Sequence, residues 1–204
     1  MKNLLCIGNG SVSKISLNST IKTKKFNKIK IINFSKNADP LSISNKLKKK
    51  RKEFLNVLIG FANIKNLKKN EEMFNLLKKF EFKLIKVIHD RSIIDSDVTI
   101  GEGCKIFPGV IINRGSKIKK NVLINTGSII DHDCYIGDHS QIAPGCVLAG
   151  NVKIGRLTLV GMGTKIIQGV KIGKNCFVGA GSVVLKNIPD NSIYAGVPAK
   201  LIKK

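Results

Sequence analysis

The sequence of 204 residues predicts a small α/β domain with a parallel sheet, followed by an all-β solenoid of triangular cross-section. Two observations predict this fold class. The chain repeats every six residues over 94–189 without an insertion or deletion, and the part before the repeat alternates between strand-like and helix-like segments. We therefore expect a first domain over 1–91, a repeat domain over 92–189 and a C-terminal tail over 190–204.

In the first domain, apolar runs predict buried strands at 2–7, 28–34, 54–59 and 83–88, and polar-apolar patterns predict helices at 42–51 and 63–80. Alternation of strands and helices predicts a Rossmann-like parallel sheet with helices on its faces.

Gly8 and Gly10 follow the first predicted strand, where such sheets hold a phosphate at the start of the next helix. A plain structural turn and a ligand-binding loop are both compatible with these residues. No acidic residue follows the second strand to bind a ribose, so we expect no dinucleotide site.

In the repeat, the first position of each hexad is a branched aliphatic residue, from Ile94 to Val184. The fifth position is small or of modest size, from Val98 to Ser182. Side chains two apart on a strand point to the same side, so these two positions predict one buried row.

The fourth position is Gly, Asn or Asp in most hexads, as at Asp97, Gly103 and Asn121. These residues tolerate positive φ, so each hexad should end in a sharp corner. Three hexads then make one coil of about eighteen residues, and stacked coils cover each other's strand edges.

Composition limits the possible functions. The net charge is +23, which favours anionic ligands, but the sequence has no DNA-binding motif and few aromatic residues, so we expect no specific nucleic-acid binding. We find no run long enough to span a membrane and no signal peptide, and we expect a cytoplasmic protein. Four of the five cysteines occupy the inward fifth position, which predicts core thiols rather than metal ligands.

One corner carries candidate chemistry. His132 lies between Asp131 and Asp133 in the middle of the repeat. A neighbouring carboxylate can fix the tautomer of a histidine, as a general base requires. His139 and His89 each have an acid on one side only, Asp138 and Asp90, and the spacing of the histidines and acids matches no standard zinc pattern.

The segments NTGSIIDHDCYIGD at 125–138, GNVKIG at 150–155 and YAGVPAK at 194–200 resemble the bacterial sugar O- and N-acetyltransferases of the NeuD and PglD type. The similarity includes 142–145, the joint at 87–94 and Gly60. The resemblance implies a left-handed parallel β-helix that forms a homotrimer, with the donor acetyl-CoA between adjacent prisms and no metal.

The resemblance also implies residue roles. His132 matches the family's base and Asp133 its acidic neighbour. Asn125 matches a position near the acceptor, and Gly150 the backbone N–H that supports the oxyanion. Residues that match positions touching the acetyl donor are Gln141, Gly150, Met162 and Ala180, although many relatives have a histidine where this chain has Gln141. Gly8, Gly10 and Gly60 match the acceptor-binding domain, but Asn33 and Phe34 replace an acidic pair.

These features together predict an acetyltransferase that acts on an amino group of a nucleotide-activated sugar in surface-glycan synthesis. O-acetylation of sialic acid is one alternative, because the same base would serve a hydroxyl acceptor. A non-catalytic hexapeptide-repeat scaffold is the other.

Overall fold

The computed structural model describes residues 2–34, 39–64 and 66–203. The chain divides into two compact units, Met1–Val87 and Ile88–Lys204. The first unit is the small α/β domain and the second is the solenoid.

The first unit contains four strands and three helices. In chain order these are β1 (Asn3–Ile7), α1 (Ser11–Lys22), β2 (Lys28–Ile32), α2 (Pro40–Arg51), β3 (Asn56–Ile59), α3 (Leu67–Lys79) and β4 (Lys83–Leu84). The strands form one parallel sheet in the order β2-β1-β3-β4. The predicted parallel sheet is therefore present.

The sequence pattern does not predict α1, because the buried side of this helix is mostly hydroxylic. Its buried residues are Ser13, Ser16, Leu17, Ser19 and Thr20. Ser19 and Thr20 donate their hydroxyls to backbone carbonyls one turn earlier, which satisfies these two groups inside the helix, whereas the buried Ser16 Oγ has no hydrogen-bond partner among the described residues. A periodicity search that counts aliphatic residues misses such a face.

The second unit winds through three sheets, which we call faces 1, 2 and 3. Face 1 contains Val87–Ile88, Lys105–Ile106, Leu123–Ile124, Gln141–Ile142, Leu159–Val160, Phe177–Val178, Ile193–Ala195 and the antiparallel strand Lys200–Lys203. Face 2 contains Ile93–Ile94, Ile111–Ile112, Ile129–Ile130, Val147–Leu148, Lys165–Ile166 and Val183–Val184. Face 3 contains Thr99–Ile100, Lys117–Ile118, Tyr135–Ile136, Lys153–Ile154 and Lys171–Ile172. The parallel solenoid is confirmed, and its left-handed winding stays a prediction.

The inward aliphatic row is buried as predicted: every first-position residue from Ile106 to Val184 is at most 3% exposed. The fifth-position residues are also inward, but they do more than fill space. Ser140 Oγ donates to the carbonyl of Gly155 at 2.8 Å and accepts the N–H of Thr158 at 3.1 Å. Hydroxyls at this position therefore tie successive coils together inside the core.

Four cysteines occupy the same inward row and are buried free thiols, as predicted. Cys134 Sγ donates to the carbonyl of Ala149 at 3.2 Å, and Cys146 Sγ donates to that of Gly161 at 3.1 Å. Burial raises the pKa of both thiols to about 11, so they remain protonated at neutral pH.

The corners follow the predicted frame. The fourth position of each hexad from Gly103 to Gly181 has positive φ, including His139 at 62° and Leu157 at 54°. Leucine rarely adopts this conformation, so the stacked coils impose the corner on whatever residue occupies it. Asp97 and Asn187, at the two ends, are not among the positive-φ residues.

The ends of the solenoid differ from the expected boundaries. The predicted strand 83–88 is two strands, because β4 ends at Leu84 and Val87–Ile88 already belongs to face 1. Beyond Pro189, Ile193–Ala195 continues face 1 and Lys200–Lys203 folds back against it, so much of the expected tail is strand.

Candidate active site

The candidate base lies in the corner between faces 2 and 3, which we call the 2–3 corner. Residues 113–116, 131–134 and 149–152 stack there in successive coils. His132 Nδ1–H donates to Asp133 Oδ2 at 2.9 Å. This bond leaves Nε2 as the acceptor nitrogen, which is the arrangement a general base needs. The His132 side chain is 42% exposed, so the ring is accessible from outside the prism.

Asp131 fixes the backbone before the histidine. Its Oδ1 accepts the N–H of His132 at 2.8 Å and the side-chain amide of Asn113 at 2.9 Å. These bonds, with that from Asn113 the stronger influence, lower the pKa of the Asp131 carboxyl. The carboxylate is therefore a structural anchor for the corner.

Two glycines make room for the pair. A Cβ on Gly150 would lie 2.4 Å from Nε2 of His132, and a Cβ on Gly115 would lie 2.2 Å from Oδ1 of Asp133. Gly150 does not have positive φ, so its backbone does not require glycine. The imidazole instead occupies the space that a side chain at Gly150 would fill.

A buried hydroxyl holds the same corner from inside. Ser116 Oγ donates to the carbonyl of Asp131 at 2.8 Å and accepts the N–H of Cys134 at 3.0 Å. The corner carrying His132 is thus bonded on both sides of the histidine.

Gly150 also contributes a backbone donor. Within the part of the chain that the structure describes, its N–H makes no hydrogen bond, although the residue is buried. At the same hexad position, the N–H of Arg114 is bound by Asp95 at 2.7 Å and that of Lys120 by Asp138 at 2.7 Å. An uncommitted N–H beside the imidazole is suited to binding an oxyanion.

The remaining predicted residues of the solenoid lie elsewhere. Asn125, Met162 and Ala180 belong to the corner between faces 1 and 2, where Met162 and Ala180 stack through the bond from Gly181 N–H to the Met162 carbonyl. Met162 is 60% exposed. Gln141 lies within a face 1 strand between Leu123 and Leu159, and only 4% of it is exposed. The structure therefore joins His132, Asp133 and Gly150, and puts the other four outside this cluster.

The predicted acceptor residues lie in the first unit. A cavity of about 810 Å³ opens at the carboxyl ends of β1, β2 and β3, and its lining includes Gly8, Gly10, Asn33, Phe34 and Phe61. This is the end of a parallel sheet at which ligands bind. The volume lies within the range of ligand pockets.

Gly60 supports the cavity without lining it. Its N–H donates to the Ile7 carbonyl at 2.8 Å, and a Cβ on Gly60 would lie 2.5 Å from Cβ of Ser13. Gly8, at φ 105°, packs against the Gly60 carbonyl. The two glycines let β1, β3 and α1 approach closely.

The other two histidines are buried, unlike His132, although Nδ1 of His89 lies 2.9 Å from Oδ1 of Asp90. His139 and His89 are 7% and 8% exposed, and the amide of Asn121 lies 3.1 Å from Nδ1 of His139. In residues 2–34, 39–64 and 66–203, no group of three or more His, Cys, Asp and Glu side chains is placed to hold a metal ion.

Sequence reasoning missed Asn113, Gly115 and Ser116. Asn113 and Gly115 each lie eighteen residues before their partner in the His132 corner. The signal was available, because an eighteen-residue coil stacks residues at that offset. Gly115 and Ser116 are hidden in the sequence because glycine and serine are also the residues that a plain corner would have.

Comparison with known proteins identifies the repeat and the whole fold. The family model of bacterial transferase hexapeptide repeats matches residues 115–150 and 151–186. Among solved structures, PerB from Caulobacter crescentus, in complex with CoA and GDP-perosamine, is 29% identical with a TM-score of 0.87, covering 98% of this chain and 97% of that one.

Two further structures cover the full length. WeeI from Acinetobacter baumannii is 26% identical with a TM-score of 0.86, over 99% of this chain and 100% of that one. The acetyltransferase domain of PglB from Neisseria gonorrhoeae, in complex with acetyl coenzyme A, is 25% identical with a TM-score of 0.87, over 98% and 99%. The chain is therefore an acyltransferase that contains bacterial transferase hexapeptide repeats, and over both units it resembles the sugar acetyltransferases of the NeuD and PglD type.

Proposed function

We propose that this chain transfers the acetyl group of acetyl-CoA to an amino group of a nucleotide-linked sugar used in surface-glycan synthesis. The observation that carries the proposal is the His132–Asp133 pair, set over Gly150 in the 2–3 corner. PerB, which was crystallised with CoA and GDP-perosamine, supports this acceptor class.

His132 acts as the general base. The sugar amine attacks the thioester carbonyl while Nε2 accepts a proton from the nitrogen, forming a tetrahedral intermediate. Asp133 holds the ring through Nδ1 at 2.9 Å and stabilises the imidazolium that results. When the intermediate collapses, the C–S bond breaks and the imidazolium returns the proton to the CoA sulfur. Atoms and charges balance, and the base is regenerated.

Gly150 supplies the donor for the oxyanion. Its N–H is unoccupied in the described part of the chain, and a Cβ built on this residue would lie 2.4 Å from Nε2, the atom that accepts the proton. A fixed backbone donor of this kind contributes about 2.7–4 kcal/mol to acyl-transfer transition states.

The first unit is proposed to bind the acceptor's nucleotide. Gly10 precedes α1 with no side chain in the way, and the first turn of α1 contains no acidic residue, so the helix start suits a phosphate. Phe34 and Phe61 give the cavity apolar walls for a base, and Lys69 adds a cation. Asn33 and Phe34 line this cavity where relatives place acids, so the ribose contacts would differ here.

Face 2 supports a homotrimer. Except for Lys165, its outward residues are apolar, and they include Ile93, 65% exposed, and Val147, 37% exposed. The corner that follows it adds Ile167 at 44%. The corresponding column of face 3 contains Lys117, Lys153 and Lys171. Burial of face 2 against a second copy would bring the His132 corner to the edge of that contact, where the donor is expected.

The test is thiol release from acetyl-CoA with GDP-, UDP- and dTDP-linked amino sugars and with free sialic acids. We expect turnover with an amino sugar nucleotide. His132→Ala should lower kcat about 10²- to 10⁴-fold with an unchanged thermal midpoint. His139→Asn is the matched control, because asparagine tolerates the corner at φ 62° and His139 lies outside the cluster.

Other outcomes separate the alternatives. Turnover of sialic acid alone would replace the amine acceptor with a hydroxyl one. An undiminished rate in His132→Ala would remove the assigned base, and equal losses in His132→Ala and His139→Asn would show that the effect is not specific to this corner.

A further inference from the structure

The amino-terminal edge of the sheet in the first unit gathers most of that unit's cations. Because β1 to β4 are parallel, their starts and the ends of the preceding helices meet at one edge. We define the amino-terminal edge as residue 2 and segments 19–28, 48–56 and 76–83. Its cations are Lys2, Lys22, Lys24, Lys25, Lys28, Lys48, Lys49, Lys50, Arg51, Lys52, Lys78, Lys79 and Lys83.

The opposite edge of the same sheet is an internal comparison. Over a similar length, in 8–14, 33–44 and 60–70, the described cations are Lys14, Lys68 and Lys69; the sequence adds Lys36 and Lys65, which lie outside the described residues. A general lysine bias of the sequence would load both edges alike. The positive charge is therefore concentrated away from the cavity.

Helix dipoles account for part of this charge, since cations at helix ends are stabilising. They do not account for a run of five, from Lys48 to Lys52, at the end of α2. Acids do not balance the edge either: Glu53 pairs with Lys28, and Glu81 is the other acid in these segments. Lys30 of β2 adds to the crowding, because its charge lowers the pKa of the Lys50 ammonium.

Exposed aliphatic side chains lie within the same edge. Ile21, in the last turn of α1, is 59% exposed, and Leu55, directly before β3, is 47% exposed. Of the four aromatic rings in these segments, Phe54 and Phe82 are buried, and Phe26 and Phe80 are half-buried, so none is fully exposed. Stacking of nucleic-acid bases needs exposed rings, whereas an anionic lipid surface takes lysine charge together with aliphatic insertion.

We propose that the amino-terminal edge of the first unit docks on an anionic phospholipid surface. The lysines lie against the lipid phosphates, and Ile21 and Leu55 enter the boundary between head groups and acyl chains. The cavity opens at the opposite edge of the same sheet, so docking leaves it accessible. The association is peripheral: among the helices described, none is long and apolar enough to cross a bilayer.

The test is co-sedimentation of the full chain with vesicles at physiological salt. We expect binding to vesicles of equal parts phosphatidylcholine and phosphatidylglycerol, and none to phosphatidylcholine alone. The triple variant Lys48→Glu, Lys49→Glu and Lys52→Glu should bind about tenfold or more weakly. The triple Lys117→Glu, Lys153→Glu and Lys171→Glu has the same net charge, and it should keep most of the binding.

A second variant distinguishes lipid from other polyanions. Leu55→Ser should weaken vesicle binding while leaving the circular dichroism spectrum unchanged. Equal losses in the two triple variants would overturn the proposal, because net charge alone would then explain binding. Binding of a single-stranded oligonucleotide as tightly as vesicles would also overturn it. Acetyl transfer to a soluble acceptor should be unchanged in the Lys48, Lys49 and Lys52 variant, which separates this result from the proposed function.

Discussion

The solenoid and the α/β unit place their functional groups by different means. In the solenoid, the hexad position dictates where a side chain lies, and His132 differs from its neighbours because a glycine eighteen residues on leaves room for its ring. In the α/β unit, no residue period exists, and the parallel topology decides which residues meet at each edge. In the solenoid, residues that depart from the hexad pattern therefore indicate functional positions. In the α/β unit, the direction of the strands indicates which residues lie together.

The two units use glycine for different ends. Gly150 makes room for a ring that is exposed and can move, whereas Gly60 makes room for packed atoms of α1 and β1. Filling the first space should therefore affect catalysis, and filling the second should affect stability.

Gly150→Ala tests the solenoid half of this contrast and should have the largest effect. The added methyl would lie 2.4 Å from Nε2, so the imidazole must leave its position. We expect kcat to fall about 10²-fold, with the free energy of unfolding nearly unchanged. Gly169→Asn, one coil further in the same corner, is the control, since no heavy atom lies within 4 Å and asparagine accepts its φ of 76°. Steady-state kinetics and urea unfolding measure the two effects. Full activity in Gly150→Ala would show that the His132 ring does not act as the base from this position.

Gly60→Ala tests the α/β half. Its methyl would lie 2.5 Å from Ser13 Cβ and 2.9 Å from Cys6 Sγ, both in packed elements. We expect a loss of about 1–3 kcal/mol in the free energy of unfolding. Gly10→Ala, with no heavy atom within 4 Å, should cost less, about 0.5–1 kcal/mol, because alanine is a poorer N-cap than glycine. Recovery in the double variant with Ser13→Gly would confirm the steric cause, and a Gly60→Ala protein as stable as the parent would contradict it.

Asn113→Ala should have the smallest effect. The pKa of Asp131 is lowered in the folded protein, so its contribution to stability is present above the ordinary value of 3.8 and is lost as pH falls through the folded value. Removing the Asn113 amide should therefore cost about 0.5–1 kcal/mol at pH 7, and the difference should shrink in acid. Unfolding midpoints across pH measure this. In an Asp131→Asn background the substitution should lose its pH dependence; a constant difference would exclude the carboxylate as the cause.

Most of the solenoid was predictable because the six-residue repeat determines the backbone conformation more strongly than the conformational preferences of individual residues do. The corners at His139 and Leu157 depart from the usual residues yet keep the backbone of their neighbours. The frame fails at the C-terminal end, where Ile193 pairs with Phe177 at a spacing that no longer fits three hexads. It also begins earlier than expected, since Ile88 lies six residues before Ile94 in the same phase.

The site was predictable in part. His132 and Asp133 could be predicted because a histidine among acidic residues is conspicuous in the sequence. The roles of Asn113 and Gly115 depend on contacts between adjacent coils, eighteen residues apart, which the six-residue repeat does not reveal. In the α/β unit, α1 was not predicted because its buried face consists mostly of serine and threonine. The sequence predicted where the cavity of the α/β unit lies but not which side chains line it, because these side chains come from several separate segments of the chain.

The ladder of inward hydroxyls and thiols from Ser140 to Thr158 and on to Cys176 has a consequence for redesign. Each rung meets a partner from the adjacent turn at a fixed offset, so excising a whole turn would rejoin matching rungs and merely shorten the prism. Deleting a single hexad would instead rotate every later corner onto the wrong side. The solenoid can therefore change its length only in complete turns if residues on both sides of the change are to keep their faces.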